Sequence, residues 1–187
     1  MASVFGHGMV GITIAQFARA KQTKWLLFFA ILSTILPDVD VISFHFGVPY
    51  EHPLGHRGFT HSILFAVLWA LLLMVLFGKR HKLLWFIVIF LSTLSHGLLD
   101  AITTGGRGVG FFIPFHNERF FFPWRKIQVS PIHIEDFFSD WGLAVILSEI
   151  KYIIVPCLII FVLLTICKFC NLSIYSFGRV SNELLPR

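Results

Sequence analysis

Charge is scarce in this sequence. Asp, Glu, Lys and Arg make up 13% of its 187 residues, about half the share of an average soluble domain. So little charge cannot cover a water-facing surface, and an ordinary soluble domain is excluded. Cysteine is nearly absent as well. The three present, Cys157, Cys167 and Cys170, lie in or beside the last apolar run. Cys167 and Cys170 have a CxxC-like spacing, but no second pair completes a cysteine zinc site. They read as membrane-helix filler. There is no internal repeat and no low-complexity tract, so solenoid and linker architectures do not apply. No basic stretch precedes the first apolar run, so a cleaved signal peptide is not expected.

Apolar side chains fill the gap. The chain is 56% hydrophobic, with 22 phenylalanines. That composition predicts an all-α, polytopic membrane bundle. The net charge of +5 points to membrane topology and anionic headgroups before nucleic acid, so membrane lipid is an expected partner and direct nucleic-acid binding is not.

Five apolar segments follow one another: about Val4–Ala20, Trp25–Leu36, Ile63–Phe77, Leu83–Asp100 and Trp141–Cys167. A spanning helix wants about 20 apolar residues. The first four fall slightly short, which tilt or interior-facing polar residues can accommodate. Four or five spans are expected, in a single domain over residues 1–168, followed by a polar tail at 169–187.

Successive spans alternate in direction, and this places residues that are far apart in sequence. His7 begins span one. Asp38 and Asp40 end span two. His56 and His61 begin span three, and His96 and Asp100 end span four. All fall at one membrane face, as do eight of the nine histidines. His45, His52, His116 and His133 read as loop histidines on that side, and His81 as one on the other. Nine of the fifteen basic residues lie at the opposite face: Arg19, Lys21, Lys24, Lys79, Arg80, Lys82, Lys168, Arg179 and Arg187. Every acid except Glu183 lies on the His/Asp side. The positive-inside rule makes the basic loops cytoplasmic, so the cluster is expected to face the periplasm or exterior of a bacterial inner membrane.

His96 and Asp100 are spaced i, i+4, one turn apart on one helix face. Ionisable groups at a membrane-helix end are costly unless paired, wetted or bound to a metal. Mixed His and Asp ligation suits a divalent metal, and zinc fits best. A cation would relieve repulsion among Asp38, Asp40 and Asp100 and keep the imidazoles neutral. The candidate ligands are His7, Asp38, Asp40, His56, His61, His96 and Asp100, and the number of ions is left open. Such a centre activates water for hydrolysis, with a phosphoester as a suitable substrate. Asp38, Asp40, Arg57 and Asp100 are the candidate catalytic residues. Arg57 could bind a phosphate with its planar fork, or pair with an aspartate. The aromatic run Phe120–Trp124 could form an interfacial lip over the site, or a packed segment beside it.

The segments Gly6-His7, Pro37-Asp38-Val39-Asp40, His56-Arg57-Gly58-Phe59-Thr60-His61-Ser62 and Ser95-His96-Gly97-Leu98-Leu99-Asp100 resemble the YdjM/YbcI family of bacterial membrane-bound metal-dependent hydrolases. The likeness runs through Asn117–Trp124 and Ser148-Glu149 to about Pro156. It implies an inner-membrane, metal-dependent hydrolase. The family is also described as LexA-binding, which implies a contact on a cytoplasmic surface, away from the cluster. A remoter resemblance is to the helical zinc-dependent phospholipase C and single-strand nuclease superfamily. It implies His7, Asp38, His61, His96 and Asp100 as ligands. The choices between His56 and His61, and between Asp38 and Asp40, stay open. Two other function classes compete with the hydrolase. One is a metal-ion or proton-coupled transporter, which would need polar groups across the whole span. The other is a non-catalytic regulator with a structural metal.

Overall fold

The computed structural model describes residues 1–18, 23–131 and 134–167. Helix α1 spans Val4–Gln16 and starts at Ser3, whose hydroxyl accepts the Gly6 N–H. Helix α2 spans Lys24–Ser33, with Thr23 accepting the Leu26 N–H. Both use a hydroxyl to satisfy a donor that the first turn leaves without an intrahelical partner. Pro37 then opens a 3₁₀ stretch, Leu36–Phe46, closed by Gly47 in the left-handed region at φ 71°. This stretch is bent by 41° from α2. A short 3₁₀ turn, Phe59–His61, leads through the Ser62 cap into α3, Ile63–Phe77. Helix α4 spans Lys82–Ala101. A single turn, α5 (Ile134–Phe137), precedes α6 (Asp140–Glu149), which runs on through a π-helical turn at Ile150–Ile154. The continuous helix from Asp140 reaches Cys167.

Among the described residues there are no strands, only two isolated bridges, Thr103 with Ile127 and Val109 with Phe120. The all-helical expectation holds. The span count does not. Two helices are long and apolar enough to cross a membrane, Lys82–Ala101 and Asp140–Cys167, or three if the bent pair Lys24–Ser33 and Leu36–Phe46 forms one span. Four or five were expected. The shortfall lies in α1 and α3, with 13 and 15 residues. At 1.5 Å per residue they reach only about 20 and 22 Å, against a hydrocarbon core of about 30 Å. In the first segment, Phe17 and Ala18 fall in the C-cap and the turn after α1.

Helices α1 to α4 share one core. Ala15, Leu26, Ala30, Ala70, Leu73, Trp85, Val88 and Ile89 are buried together. The Phe77 ring stacks on Trp85 at 5.9 Å, and Phe29 lies 4.6 Å from Phe77. Small residues set the approach of α1 and α2, as in many membrane helix pairs. A Cβ on Gly11 would lie 3.0 Å from the Ala30 carbonyl oxygen and 3.1 Å from Ile31 Cα, whereas one on Gly8 would meet nothing nearer than 3.9 Å. The helix that begins with α6 packs its π-helical turn on α1, and Ile153 and Cys157 are buried there with Ala2. The remainder is outward: 11% of its apolar window is buried, against 44% for α4. The basic residues Arg19, Lys21, Lys168, Arg179 and Arg187, together with Glu183, His133, Cys170 and the tail at 169–187, lie outside the described residues.

Gly11→Val should overpack the α1–α2 contact and destabilise the fold by about 1–3 kcal/mol. Gly8→Ala, which meets no such clash, should keep stability or raise it by up to about 1 kcal/mol. Thermal unfolding of the two purified variants in one detergent checks the contrast.

Candidate metal centre

Pro37 starts the 3₁₀ stretch that carries Asp38 and Asp40. With three residues per turn, side chains two positions apart point in different directions. The two aspartates accordingly serve different neighbours.

Asp38 faces the histidines. Its Oδ1 lies 3.3 Å from His96 Nε2 and 3.8 Å from His61 Nε2. The two Nε2 atoms are 3.0 Å apart. Asp100 Oδ2 lies 3.5 Å from His61 Nε2 and 3.8 Å from His96 Nε2. These four atoms all fall within 4.8 Å of one another. The side chains of His61, His96 and Asp100 have no exposed surface, and that of Asp38 is 10% exposed.

The histidine tautomers follow from their outer contacts. Helix α2 ends at Thr34, whose carbonyl accepts a hydrogen bond from His96 Nδ1 at 2.7 Å. His61 Nδ1 lies 3.2 Å from Asp40 Oδ2. With both Nδ1 atoms carrying the proton, both Nε2 lone pairs turn inward. Two lone pairs at 3.0 Å repel unless a cation lies between them. Asp38 Oδ1 and Asp100 Oδ2 have no hydrogen-bond donor among the described residues. Bonds of about 2.0–2.1 Å to a tetrahedral ion place neighbouring ligand atoms about 3.3–3.4 Å apart. Five of the six distances among these atoms lie between 3.0 and 3.8 Å. The residues fit a divalent metal in spacing, tautomer and charge.

Asp40 is saturated instead. Its Oδ1 bonds His56 Nδ1 at 2.7 Å. Its Oδ2 accepts the Thr60 hydroxyl at 2.6 Å and the Arg57 N–H at 3.0 Å. Asp40, His56 and His61 form a second group with metal-like spacing, but it shares His61 through the nitrogen that already faces Asp40. A carboxylate on the outer nitrogen of an inward-facing histidine orients the ring and raises its basicity.

Arg57 adopts the left-handed conformation at φ 61°, rare for a residue with a Cβ. There its N–H reaches Asp40 and its carbonyl accepts the Gly110 N–H at 2.9 Å. Its buried guanidinium places Nε 3.0 Å from Asp100 Oδ2. The two terminal nitrogens bond the Gly105 carbonyl at 3.0 Å and the Thr103 hydroxyl at 3.2 Å. Of the two readings of Arg57, the pairing with an aspartate is the one observed.

His7 adjoins the four atoms without joining them. Its ring stacks on His96 at 3.9 Å, and Nε2 lies 3.6 Å from Asp100 Oδ1. Neither ring nitrogen has a hydrogen-bond partner among the described residues. The expected loop histidines His45, His52, His81 and His116 are exposed. Phe120, Phe121 and Phe122 line an apolar cavity of about 370 Å³ with Leu94, Leu98, Phe111 and Phe112. Leu94 and Leu98 lie two positions from His96, on the other side of α4. Phe120, Phe121 and Phe122 therefore lie on the side of α4 away from His96.

Several contributors were not among the candidate site residues. The Ala2 N–H donates to Asp100 Oδ1 at 3.0 Å. Glu149 accepts from both the N–H and the hydroxyl of Ser3, which fixes the start of α1 one turn before His7. Thr34 acts through its backbone, which no residue pattern reports. Thr60, inside the HRGFTHS segment, and Glu149, in the Ser148-Glu149 pair, were the legible signals.

The fold and the site together define a class: a helical membrane protein with a buried His/Asp cluster positioned to bind a metal ion. The chain belongs to the YdjM inner membrane protein family, whose profile matches residues 1–174. It is 43% identical to the inner membrane protein YbcI of Escherichia coli K12 over 165 residues, covering 83% of this chain and 92% of that one. It is 34% identical over 125 residues to the inner membrane proteins YdjM of E. coli K12 and of Shigella flexneri, covering 54% of this chain and 61% of theirs. No solved structure matches significantly.

Burial alone would depress the His61 pKa, but the carboxylates of Asp100, Asp38 and Asp40 hold it well above its ordinary value. A metal needs the neutral ring. Affinity should therefore be full only above that raised pKa and should fall as pH drops through it, beginning above the ordinary His value of about 6.5. Asp40→Asn should lower metal affinity about 10–100-fold without changing the number of ions bound. Competitive chelator titrations at several pH values check both.

Proposed function

We propose that this chain is a membrane-embedded, metal-dependent hydrolase acting on a phosphoester or a similar lipid-like amphiphile. The observation that carries the reading is the convergence of Asp38 Oδ1, His61 Nε2, His96 Nε2 and Asp100 Oδ2 within one buried site. A divalent ion bound there, with zinc preferred for this ligand set, would supply Lewis acidity and an activated water. The chain's own residues have separable roles. Asp38, His61, His96 and Asp100 hold the ion. Asp40 orients His61 and His56. Arg57 restrains Asp100 and offsets its charge. His7, stacked beside the ligands with free ring nitrogens, accepts and returns a proton next to Asp100. We place the centre at the periplasmic face, where the charge asymmetry of the sequence puts it, with membrane lipid as the source of substrate.

One observation favours a second reading. Four protein ligands close a tetrahedron, as structural zinc sites do, whereas catalytic sites keep a position open. A non-catalytic protein stapled by its metal would look the same at this radius. The two readings part at turnover.

Purified protein should carry about one ion per chain, given four ligands for one tetrahedral site. His96→Ala should remove most of it. Metal content well below stoichiometric, and insensitive to this substitution, would sink both readings. A full metal complement with no cleavage of any phosphoester or phospholipid, in vitro or in lipid extracts, leaves only the structural staple. His7→Ala should retain the ion and lose turnover.

A further inference from the structure

Beside the metal centre lies a chamber of about 410 Å³, walled by Tyr50, His56, Arg57, Gly106, Val129 and Trp141 among others. Its size falls in the range of small-ligand sites, about 300–1,000 Å³. It suits a headgroup better than a whole lipid. Two of its walls belong to the centre itself. His56 is bonded to Asp40, and Arg57 lies against Asp100. A group seated in the chamber is thus one side chain away from the carboxylates.

Arg57 lines the chamber, and two further arginines stand against its Tyr50 wall. Arg57 hydrogen-bonds Gly105 and Thr103 through one donor on each terminal nitrogen, with Nε set against Asp100, which leaves a second donor on each terminal nitrogen. Arg119 and Arg107 lie over the Tyr50 ring, at 5.0 and 5.8 Å from its centre. Arg119 is held by the carbonyls of His56, Tyr50 and His52, with no carboxylate partner among the described residues. Arg107 pairs with Glu51. Asp136 is the one carboxylate in the lining among the described residues. A cationic ligand would meet these guanidinium groups at Tyr50, whereas an anion would be drawn to them.

Gly106 decides whether the chamber reaches Arg57. It sits at φ 89°, and a Cβ there would fall 2.5 Å from an Arg57 terminal nitrogen and 3.1 Å from the Tyr50 hydroxyl. Any other residue would press a carbon onto the guanidinium terminus at this edge of the chamber. Glycine leaves that terminus uncovered by a side chain.

We propose that this chamber binds the phosphate-bearing head of the substrate, with Arg57 as its anion contact and Gly106 as the residue that keeps the contact accessible. The phosphate belongs either to a lipid headgroup or to a soluble phosphoester. The proposal deepens the hydrolase reading and rests on it for the fate of the bound phosphate, but binding is measured apart from turnover and metal content.

The test is equilibrium dialysis of labelled inorganic phosphate against the purified full chain, with metal assayed on each sample. Wild type should bind phosphate saturably. Gly106→Ala should weaken binding about tenfold or more, the factor that goes with one charge-assisted hydrogen bond, at unchanged metal content. Because alanine is strained at this φ, Val129→Phe, which fills the chamber from another wall, provides an independent variant with the same expected loss. Absence of saturable binding to metal-loaded wild type overturns the proposal. So does full affinity in metal-loaded Val129→Phe, which would place phosphate on the metal outside this chamber. Competition by phosphatidic acid in phosphatidylcholine nanodiscs assigns the headgroup as source. Competition by glycerol phosphate alone assigns a soluble ester. Competition by neither overturns the phosphoester assignment.

Discussion

Asp38 and Asp100 bring two carboxylate oxygens against a pair of imidazole nitrogens whose lone pairs also point inward. Each of these groups is unwelcome to the others without a positive charge among them. Burial sharpens the conflict, because a low dielectric raises the cost of every unpaired polar atom. The surrounding contacts are best understood as what holds this arrangement against its own repulsion. Arg57 stands against Asp100 from one side, and the Ala2 N–H bonds the other oxygen. Asp40 holds His61 by its outer nitrogen, and Thr34 holds His96 in the same way. His61, His96 and Asp100 are each held at an atom that does not face the centre, and Arg57 adds a contact on the inward oxygen of Asp100.

The restraints come largely from chain ends of secondary structure, where backbone groups have no partner of their own. The last carbonyls of α2 would be unsatisfied, and one of them receives His96. The residues before α1 carry free N–H groups, which go to Asp100 and Glu149. The link after α4 supplies Thr103 and the Gly105 carbonyl to Arg57. Short helices are part of this design. Because α1 has only 13 residues and α2 breaks at Thr34, their ends lie at the depth of the centre. Longer spans would have carried those backbone groups past it.

Some of this was legible from residue order alone. The i, i+4 pair His96 and Asp100, the Pro-Asp-x-Asp stop and the histidines of HRGFTHS were found because spans alternate in direction. That argument needs only helices that reverse, so it survived an overcounted number of spans. The division of labour between Asp38 and Asp40 was not legible, since both follow Pro37 at similar distance. It depends on the 3₁₀ pitch, which turns one toward the histidines and the other toward Thr60. Arg57 was recognised as a cation near phosphate chemistry, but its main partner is Asp100. That contact requires a left-handed backbone at a residue with a side chain, and nothing in the composition announces it.

Composition by itself determined the class: too little charge for a water-covered surface, and apolar runs that must pack as helices because no other backbone arrangement of this length satisfies its own hydrogen bonds in an apolar setting. Order by itself determined which segments meet. Tertiary structure alone decided which atoms of those residues face inward, which are held from behind, and which face the chamber at Gly106. Those outcomes depend on helix ends, ring tautomers and gaps between side chains. Each is set by contacts between segments far apart in sequence, and local patterns along the chain carry no record of them.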